Sequence, residues 1–210
     1  RGIQEARRYV PESSEKCRDV GPFPYPPNAP FPDAMMRMVD TIECYIPDGG
    51  PAGLGFIQGT KTIDPEEWFF HAHFYQDPVN PGSLGLEAFQ QLLKVVAARR
   101  WGATAATEFE SMALGARHEW IYRGQVIPSN KEVCVEAVVT AIDDADHLLR
   151  ADGYLVVDGL VIYQMKDFAL RMRGLASLDG GECVKKAGSG WLPLPSGEGW
   201  GEGASSEGGL

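Results

Sequence analysis

The chain lacks a long apolar run. No apolar stretch among its 210 residues approaches the roughly 20 residues that a membrane-spanning helix requires. The first eight residues carry several charges and lack the apolar core of a secretory signal peptide. The missing initiating Met is consistent with a piece cut from a longer polypeptide. We therefore expect no membrane span and a cytoplasmic location.

The chain also has fewer basic than acidic residues. Lys and Arg number 19 against 29 Asp and Glu, which gives a formal net charge of −10. Nucleic-acid binding depends on Lys and Arg that neutralise phosphates, so the composition argues against a nucleic-acid partner. The hydrophobic fraction of 44% and the charged fraction of 23% are ordinary for a globular protein. A length of 210 residues suits one domain with tails, or at most two small domains.

Cysteine pairs at metal-binding spacing are absent. The four cysteines, Cys17, Cys44, Cys134 and Cys183, lie far apart and form no CxxC motif. This spacing resembles neither a zinc site nor the dense disulfide framework of small secreted domains. We therefore expect free thiols in a reducing compartment.

Both ends of the chain differ in composition from its centre. A leader at residues 1–31 is rich in proline, which excludes helix interior and central strand there and predicts an extended arm or a linker. Residues 175–210 are rich in Gly and Ser with little apolar content, which predicts a disordered tail. The folded domain is therefore predicted at residues 32–174.

The central part contains one helix between two groups of strands. Apolar residues cover most of the circumference of a helical segment at residues 83–100, which predicts a largely buried helix. The turn Val157-Asp158-Gly159 predicts a hairpin. Predicted strands span residues 35–46, 53–63, 117–127, 132–142, 148–157 and 160–172. This order predicts an α+β fold with an antiparallel sheet around the helix, whose exposed face or edge favours dimerisation.

The start of the predicted helix has the features of an oxyanion site. Pro78 and Pro81 bracket a short extended turn, and Gly82 lies where the chain enters the helix. Free backbone N–H groups at a helix start can bind an oxygen that gains negative charge. Because Gly82 has no side chain, we expect a substrate carbonyl to approach its N–H closely.

Glu87 lies one turn into this helix, between apolar neighbours. Apolar surroundings disfavour a charged carboxylate, so Glu87 is a candidate acid that holds a proton near neutral pH. The alternative is a Glu on the one wet face of the helix. Gln91 follows four residues later on the same face, where its amide can hydrogen-bond Glu87 and fix its direction.

His73 lies in an aromatic setting, next to Phe74 and Tyr75. It is a candidate base, with an ordinary core or surface histidine as the alternative. On a strand, His71 and His73 would face one way and could bind a metal. No third ligand occurs at a familiar spacing, so no metal is expected.

Three motifs in register resemble one enzyme family. Two short ones are Gly124-Gln125-Val126-Ile127-Pro128 and the segment at residues 151–163. The longest is the run His73-Phe74-x-x-Asp77-Pro78-Val79-x-Pro81-Gly82-x-Leu84-Gly85-x-Glu87. Together they span most of residues 32–173 and resemble the 3-hydroxydecanoyl-acyl carrier protein dehydratase (FabA-like) family. Within it the resemblance is strongest to the dehydratase domains of polyunsaturated fatty acid synthases.

The resemblance implies a hot-dog fold, a curved antiparallel sheet wrapped around one long central helix. It also implies an active site between two hot dogs, either in a homodimer or in a pseudo-dimer with another hot dog. The implied reaction is dehydration of 3-hydroxyacyl thioesters to trans-2-enoyl thioesters in fatty acid or polyunsaturated fatty acid synthesis. His73 would be the general base, Glu87 of the facing hot dog the acid, and the Gly82 N–H the oxyanion donor.

The implied substrate is an acyl chain on the phosphopantetheine of an acyl carrier protein, without a metal or other cofactor. Residues expected to contact it are Phe74, Tyr75, Asn80, Ser83 and Gln91. The negative charge of the chain would repel a free acidic carrier protein, so we expect tethering in a larger synthase to supply a high effective concentration.

Three positions depart from the bacterial dehydratase/isomerase pattern. Glu87 replaces an Asp, Asn80 replaces an apolar residue and Ser83 replaces a Cys. We therefore expect dehydration without isomerisation of the double bond.

Two alternatives share the implied fold. One is a hot-dog acyl thioesterase, in which the carboxylate would activate water at the same oxyanion site. The other is a catalytically silent scaffold half of a double hot dog. Lys94, Arg99 and Arg100 form a possible local docking patch for a carrier protein, but we expect solvated charges near the helix end.

Overall fold

A computed structural model describes residues 8–12, 16–18, 20–24 and 30–174. The predicted disordered tail at 175–210 lies outside these residues and stays a prediction. Within them, no helix is both long enough and apolar enough to cross a membrane.

One antiparallel sheet of eight strands dominates the described part of the chain. The strand order is β1-β2-β3-β6-β7-β8-β4, and β5 also pairs with β8. The strands are β1 (Gly21–Pro22), β2 (Thr41–Ile46), β3 (Phe56–Thr62), β4 (Glu108–Ser111), β5 (Glu119–Tyr122), β6 (Glu132–Asp143), β7 (Leu148–Val157) and β8 (Leu160–Arg173).

Two helices accompany the sheet, a short α1 (Trp68–Ala72) and a long α2 (Gly82–Trp101). A single 3-10 turn, Ala34–Met36, precedes β2. Helix α2 packs against β3, β6, β7 and β8 and ends at Gly102, whose φ of 76° lies in the left-handed region that stops a helix. The curved sheet around one long helix confirms the predicted α+β hot-dog fold.

The core lies between α2 and the sheet. Its fully buried side chains include Phe89, Leu92 and Leu93 of the helix, and each large apolar side chain of this kind contributes roughly 1.5–3 kcal/mol by leaving water. Two glycines allow the helix and the sheet to approach each other closely. A Cβ at Gly85 would collide with the ring of Tyr163, and one at Gly153 would collide with the ring of Phe89.

The predicted hairpin is confirmed where β7 meets β8. Asp158 and Gly159 have φ values of 48° and 86°, as a two-residue turn matched to the twist of the strands requires. The Asp158 carboxylate accepts hydrogen bonds from the side-chain amide of Asn130 and from the backbone N–H groups of Lys131 and Glu132. These bonds lower the pKa of Asp158.

Several element predictions were wrong in detail. The first strand begins at Thr41 rather than residue 35, because the 3-10 turn precedes it. The predicted strand at 117–127 is reduced to β5, and the preceding loop contains β4. Residues 68–72, for which no helix or strand was predicted, form α1. A short apolar run has no periodicity that distinguishes helix from strand, so tertiary packing decides.

The expectation that all cysteines are free thiols was wrong. Cys17 of the leader and Cys44 of β2 form a disulfide, because the leader runs beside β2, where Arg18 pairs with Tyr45. Cys134 is free, and burial raises the pKa of its thiol to about 11. Cys183 lies outside the described residues.

The leader contacts the outer face of the sheet at further points. The guanidinium of Arg8 binds Glu136 of β6 with two hydrogen bonds of 2.7 and 2.6 Å. The ring of Tyr9 packs on Phe56, with the ring centroids 5.0 Å apart.

Candidate active site

His73 follows the last residue of α1 and is half-buried. Its Nδ1 lies 3.1 Å from the carbonyl oxygen of Val79. A carbonyl only accepts hydrogen bonds, so Nδ1 carries the proton and Nε2 keeps a free lone pair. The chain reverses between the two residues through Gln76, whose φ is 57°. This arrangement leaves Nε2 of His73 available to a further partner.

His71 does not share the site of His73. Side chains two positions apart on a helix point about 200° apart, so the alternative in which both histidines face one way is wrong. The His71 ring instead lies 3.7 Å from the Glu66 carboxylate at the surface. No cluster of three potential metal ligands occurs among the described residues.

Helix α2 begins at Gly82, directly after Pro81. The first N–H groups of a helix have no acceptor within the helix, so they are available to an anionic oxygen. The space beside the Gly82 Cα is occupied, however. A Cβ there would lie 3.0 Å from Trp120 and 3.2 Å from Tyr122. Glycine at this position leaves room for two aromatic rings, a packing feature that the sequence did not reveal.

Trp120, Tyr122 and Tyr163 form an aromatic cluster over the start of α2. Their ring centroids lie 4.9 to 5.5 Å apart. Tyr163 is fully buried, and its hydroxyl interacts with Tyr122. Burial, together with the neighbouring Tyr122, raises the pKa of Tyr163. No local sequence pattern indicates this cluster, because its members come from two strands that pair only in the fold.

Glu87 lies in the second turn of α2, and 23% of its side chain is exposed. Its Oε1 accepts a hydrogen bond from Gln91 Nε2 at 3.0 Å, which confirms the predicted pair. Gln91 is itself held by the backbone. Its Nε2 donates to the carbonyl oxygen of Met36 at 2.7 Å, and its Oε1 accepts from the N–H of Met38 at 3.0 Å. The 3-10 turn thereby fixes the amide that orients Glu87.

Lys94 also contacts the candidate acid. Its ammonium lies 3.1 Å from Glu87 Oε1, and only 10% of its side chain is exposed. The expectation of a solvated charge was wrong for this residue, and the surroundings of Glu87 include a cation beside its apolar neighbours. By contrast, Arg100 at the end of α2 pairs with Asp144 at the surface. The sequence feature that could have predicted this contact is the spacing of seven residues between Glu87 and Lys94, which is close to two helical turns.

The five residues expected to contact substrate differ in exposure. Phe74 and Tyr75 are 56% and 90% exposed, and Ser83 is exposed in the first turn of α2. Gln91 is fully buried. Asn80 is buried as well, and its N–H donates to the carbonyl oxygen of Val126 at 2.9 Å.

A narrow crevice begins beside Asn80, between the first turns of α2 and the sheet. The Oδ1 atom of Asn80 has no hydrogen-bond partner among the described residues. Apart from Asn80 and Lys61, the lining is apolar, and it consists of Met38, Ile63, Phe69, Leu84, Gly85, Ala88, Val133 and Leu155. This crevice places an unsatisfied acceptor at the edge of an apolar space.

The predicted catalytic residues lie on different elements of the fold. His73 follows α1, whereas Gly82 and Glu87 belong to α2. In the described part of the chain, no hydrogen bond joins His73 to Glu87. Each residue instead has partners of its own, Val79 for His73 and Gln91 and Lys94 for Glu87.

Comparisons with known proteins agree with the resemblance found in the sequence. The family model described as a FabA-like domain matches residues 31–166. One component of the polyunsaturated fatty acid synthase of Thraustochytrium sp. is 37% identical over 143 residues, which is 65% of this chain. The matched segment represents only 9% of the length of that relative.

Solved structures with low sequence identity are also similar to this chain. The dehydratase heterocomplex ApeI:P from Xenorhabdus doucetiae is 13% identical with a TM-score of 0.47, over 70% of this chain and 88% of its own. A thioesterase from Haemophilus influenzae is 9% identical with a TM-score of 0.41, over 60% of this chain and 76% of its own.

Proposed function

The chain belongs to the FabA-like family, and from this premise we propose that it dehydrates 3-hydroxyacyl thioesters to trans-2-enoyl thioesters. Membership of the family supports a dehydratase function in general terms. The observation that carries the proposal is the orientation of the two candidate groups. His73 offers Nε2 because Nδ1 is bound to Val79, and Glu87 offers one carboxylate oxygen because the other is held.

The α-proton of the substrate goes to His73. The electron pair of the broken C2–H bond forms the C2=C3 double bond as the C3–O bond breaks. The hydrogen bond from Nδ1 to Val79 keeps the ring in the tautomer that can accept a proton at Nε2. General base catalysis of this kind contributes on the order of 10² to 10⁴ in rate.

The 3-hydroxyl leaves as water. Glu87 hydrogen-bonds the departing oxygen and gives it a proton, so His73 gains one proton while Glu87 loses one. Proton exchange with water restores both groups. The thioester carbonyl, which gains negative charge as the α-proton departs, binds the N–H of Gly82 at the positive end of the α2 dipole.

The crevice beside Asn80 has an apolar lining but a cavity volume of only about 10 Å³, so it admits an acyl chain only when its walls move apart. The buried Asn80 oxygen offers an acceptor close to the helix start. Phe74, Tyr75 and Ser83 are exposed near the same region and contact the substrate at the mouth of the site. The chemistry of elimination needs no cofactor beyond the phosphopantetheine that carries the substrate.

Two hot dogs form each site. Glu87 and His73 each have separate partners within one hot dog, which supports a site completed by the Glu87 of a facing copy. The partner is a second copy of this chain or a fused hot dog. The substrate arrives on an acyl carrier protein tethered in the same cytoplasmic synthase. This part of the proposal is supported by the matched relative, a synthase component of which the matched segment is only 9%.

The proposal is tested by incubating the full chain with a 3-hydroxyacyl pantetheine thioester and measuring enoyl product and free thiol separately. We expect enoyl product from the wild type and losses of about 10² to 10⁴ in kcat for His73→Ala and Glu87→Gln. His147→Ala is a matched control, because its ring packs on Trp101 at the far end of α2. Unchanged turnover in both active-site variants would overturn the proposal, and release of thiol without enoyl product would identify a thioesterase.

A further inference from the structure

The geometry of α2 explains why Lys94 reaches Glu87. The two residues are seven positions apart, which is about 10.5 Å along the axis and within about 20° of the same face. Helical side chains point back toward the N-terminus, so the long lysine side chain extends toward the carboxylate. Lys94 therefore directs its charge at the start of the helix rather than at solvent.

The two oxygens of the Glu87 carboxylate have different surroundings. Both contacts go to Oε1, one from Gln91 at 3.0 Å and one from Lys94 at 3.1 Å. No contact to Oε2 is found in the described ranges of the chain. One oxygen is thus held by two donors, and the other has no donor among the described residues.

Lys94 is not the only residue that holds the carboxylate, because Gln91 also binds Oε1 and is itself bound to Met36 and Met38. Removing an ammonium from water is unfavourable, and a single carboxylate contact compensates for it only in part. A buried lysine at this place therefore indicates a role in which its positive charge matters.

We propose that Lys94 is a positioning residue for the dehydration, one that holds Glu87 Oε1 and stabilises the charge that forms on this carboxylate. The inference rests on the proposed function. When Glu87 gives its proton to the leaving hydroxyl, the carboxylate becomes negative, and the ammonium 3.1 Å away favours that state. The stabilisation grows as the proton leaves, so it lowers the barrier instead of strengthening substrate binding.

The test compares Lys94→Met and Lys94→Arg in the wild type and in Glu87→Gln, using the full chain and a 3-hydroxyacyl pantetheine thioester. Methionine keeps the unbranched shape without the charge. We expect Lys94→Met to lower kcat by about 10- to 100-fold, less than or similar to the loss of an oxyanion donor. KM should stay within about threefold, because the missing interaction belongs to the transition state. Lys94→Arg should recover part of kcat.

The double variant separates a role through Glu87 from a merely structural one. If Lys94 acts through the carboxylate, Lys94→Met has no further effect once Glu87→Gln is present. Arg171→Met is the matched control. Arg171 is similarly buried and pairs with a carboxylate, that of Glu110. It is remote from the site, because eight residues of β8, roughly 26 Å of extended strand, separate it from Tyr163 over the start of α2. This variant should keep the wild-type kcat.

The outcomes distinguish this inference from the function on which it rests. Wild-type kcat in Lys94→Met, or an equal loss in both backgrounds, overturns the positioning role while the dehydratase stands. Absence of dehydration by the wild type overturns the proposed function and the positioning role together, whereas full activity of Glu87→Gln alone overturns the positioning role and the part of Glu87 in the mechanism.

Discussion

Glu87 and Glu136 are two glutamates paired with cations, and they differ in how their oxygens are satisfied. Arg8 binds both oxygens of Glu136, whose side chain is 2% exposed. Lys94 and Gln91 both bind the same oxygen of Glu87, whose side chain is 23% exposed. Both oxygens of the Glu136 carboxylate accept a hydrogen bond, whereas only one oxygen of the Glu87 carboxylate does so among the described residues.

The difference contrasts a carboxylate with a structural role and the proposed acid of the reaction. The bidentate pair Arg8–Glu136 engages both carboxylate oxygens and ties the leader to β6. Near the start of α2, by contrast, Asn80 Oδ1 lacks a partner among the described residues, and so do both side-chain amide atoms of Gln90 further along the helix. Unsatisfied polar atoms are unfavourable in a folded interior, so Asn80, at the edge of the crevice, is a position where a ligand could supply the missing donor.

The largest effect should come from removing Arg8. In Arg8→Met the Glu136 carboxylate loses both donors, and we expect the free energy of unfolding to fall by about 2 kcal/mol while kcat is unchanged. Urea unfolding and turnover assays measure the two quantities. Arg150→Met removes a more exposed pair with Asp167 and serves as control, with an expected loss below about 1 kcal/mol. A fall in kcat without a change in the free energy of unfolding would show that the Arg8–Glu136 pair serves the reaction and not stability.

A smaller and opposite effect should follow from Asn80→Leu. Leucine removes a buried acceptor that has no partner in the described chain, so we expect the free energy of unfolding to rise by about 1 kcal/mol. KM for the hydroxyacyl substrate should rise at the same time. Asn130→Leu is the matched control and should destabilise, because its amide binds Ile127 N–H and Asp158. Destabilisation by Asn80→Leu would show that the oxygen is satisfied.

The smallest effect concerns Glu110, a third carboxylate, on β4. The backbone N–H of Leu114, then Arg171 and Arg173, lower its pKa from 4.5 to about 2. A carboxyl whose pKa is lowered by folding stabilises the native state above its unfolded pKa, and the contribution is lost as pH falls between the two values. Glu110→Gln should therefore flatten the fall in Tm between pH 4.5 and about 2. Coincident Tm curves for wild type and variant would refute this.

Much of the architecture follows from local sequence patterns. The apolar residues at 83–100 predicted α2 to within one residue at each end. The Asp158-Gly159 turn predicted the hairpin because both positions require positive φ. The Glu87–Gln91 contact was predictable as well, since residues four apart on a helix are neighbours.

Other features depend on contacts between segments distant in sequence. The run at 68–72 became a helix because its aromatic residues Phe69 and Phe70 pack into the core. The Cys17–Cys44 disulfide depends on the leader lying beside β2. Neither contact has a local signature, so spacing along the chain could not reveal them.

The sequence by itself determined the hot-dog elements, the family, and the residues His73, Gly82 and Glu87 as candidates, because periodicity, turn chemistry and motif order are local properties. Only the tertiary structure decided the environment of each candidate. It bound His73 to Val79, packed aromatic rings against Gly82, and buried Lys94 against one oxygen of Glu87. Orientation, burial and charge pairing arise from packing between elements, and these quantities govern what a histidine or a carboxylate can do.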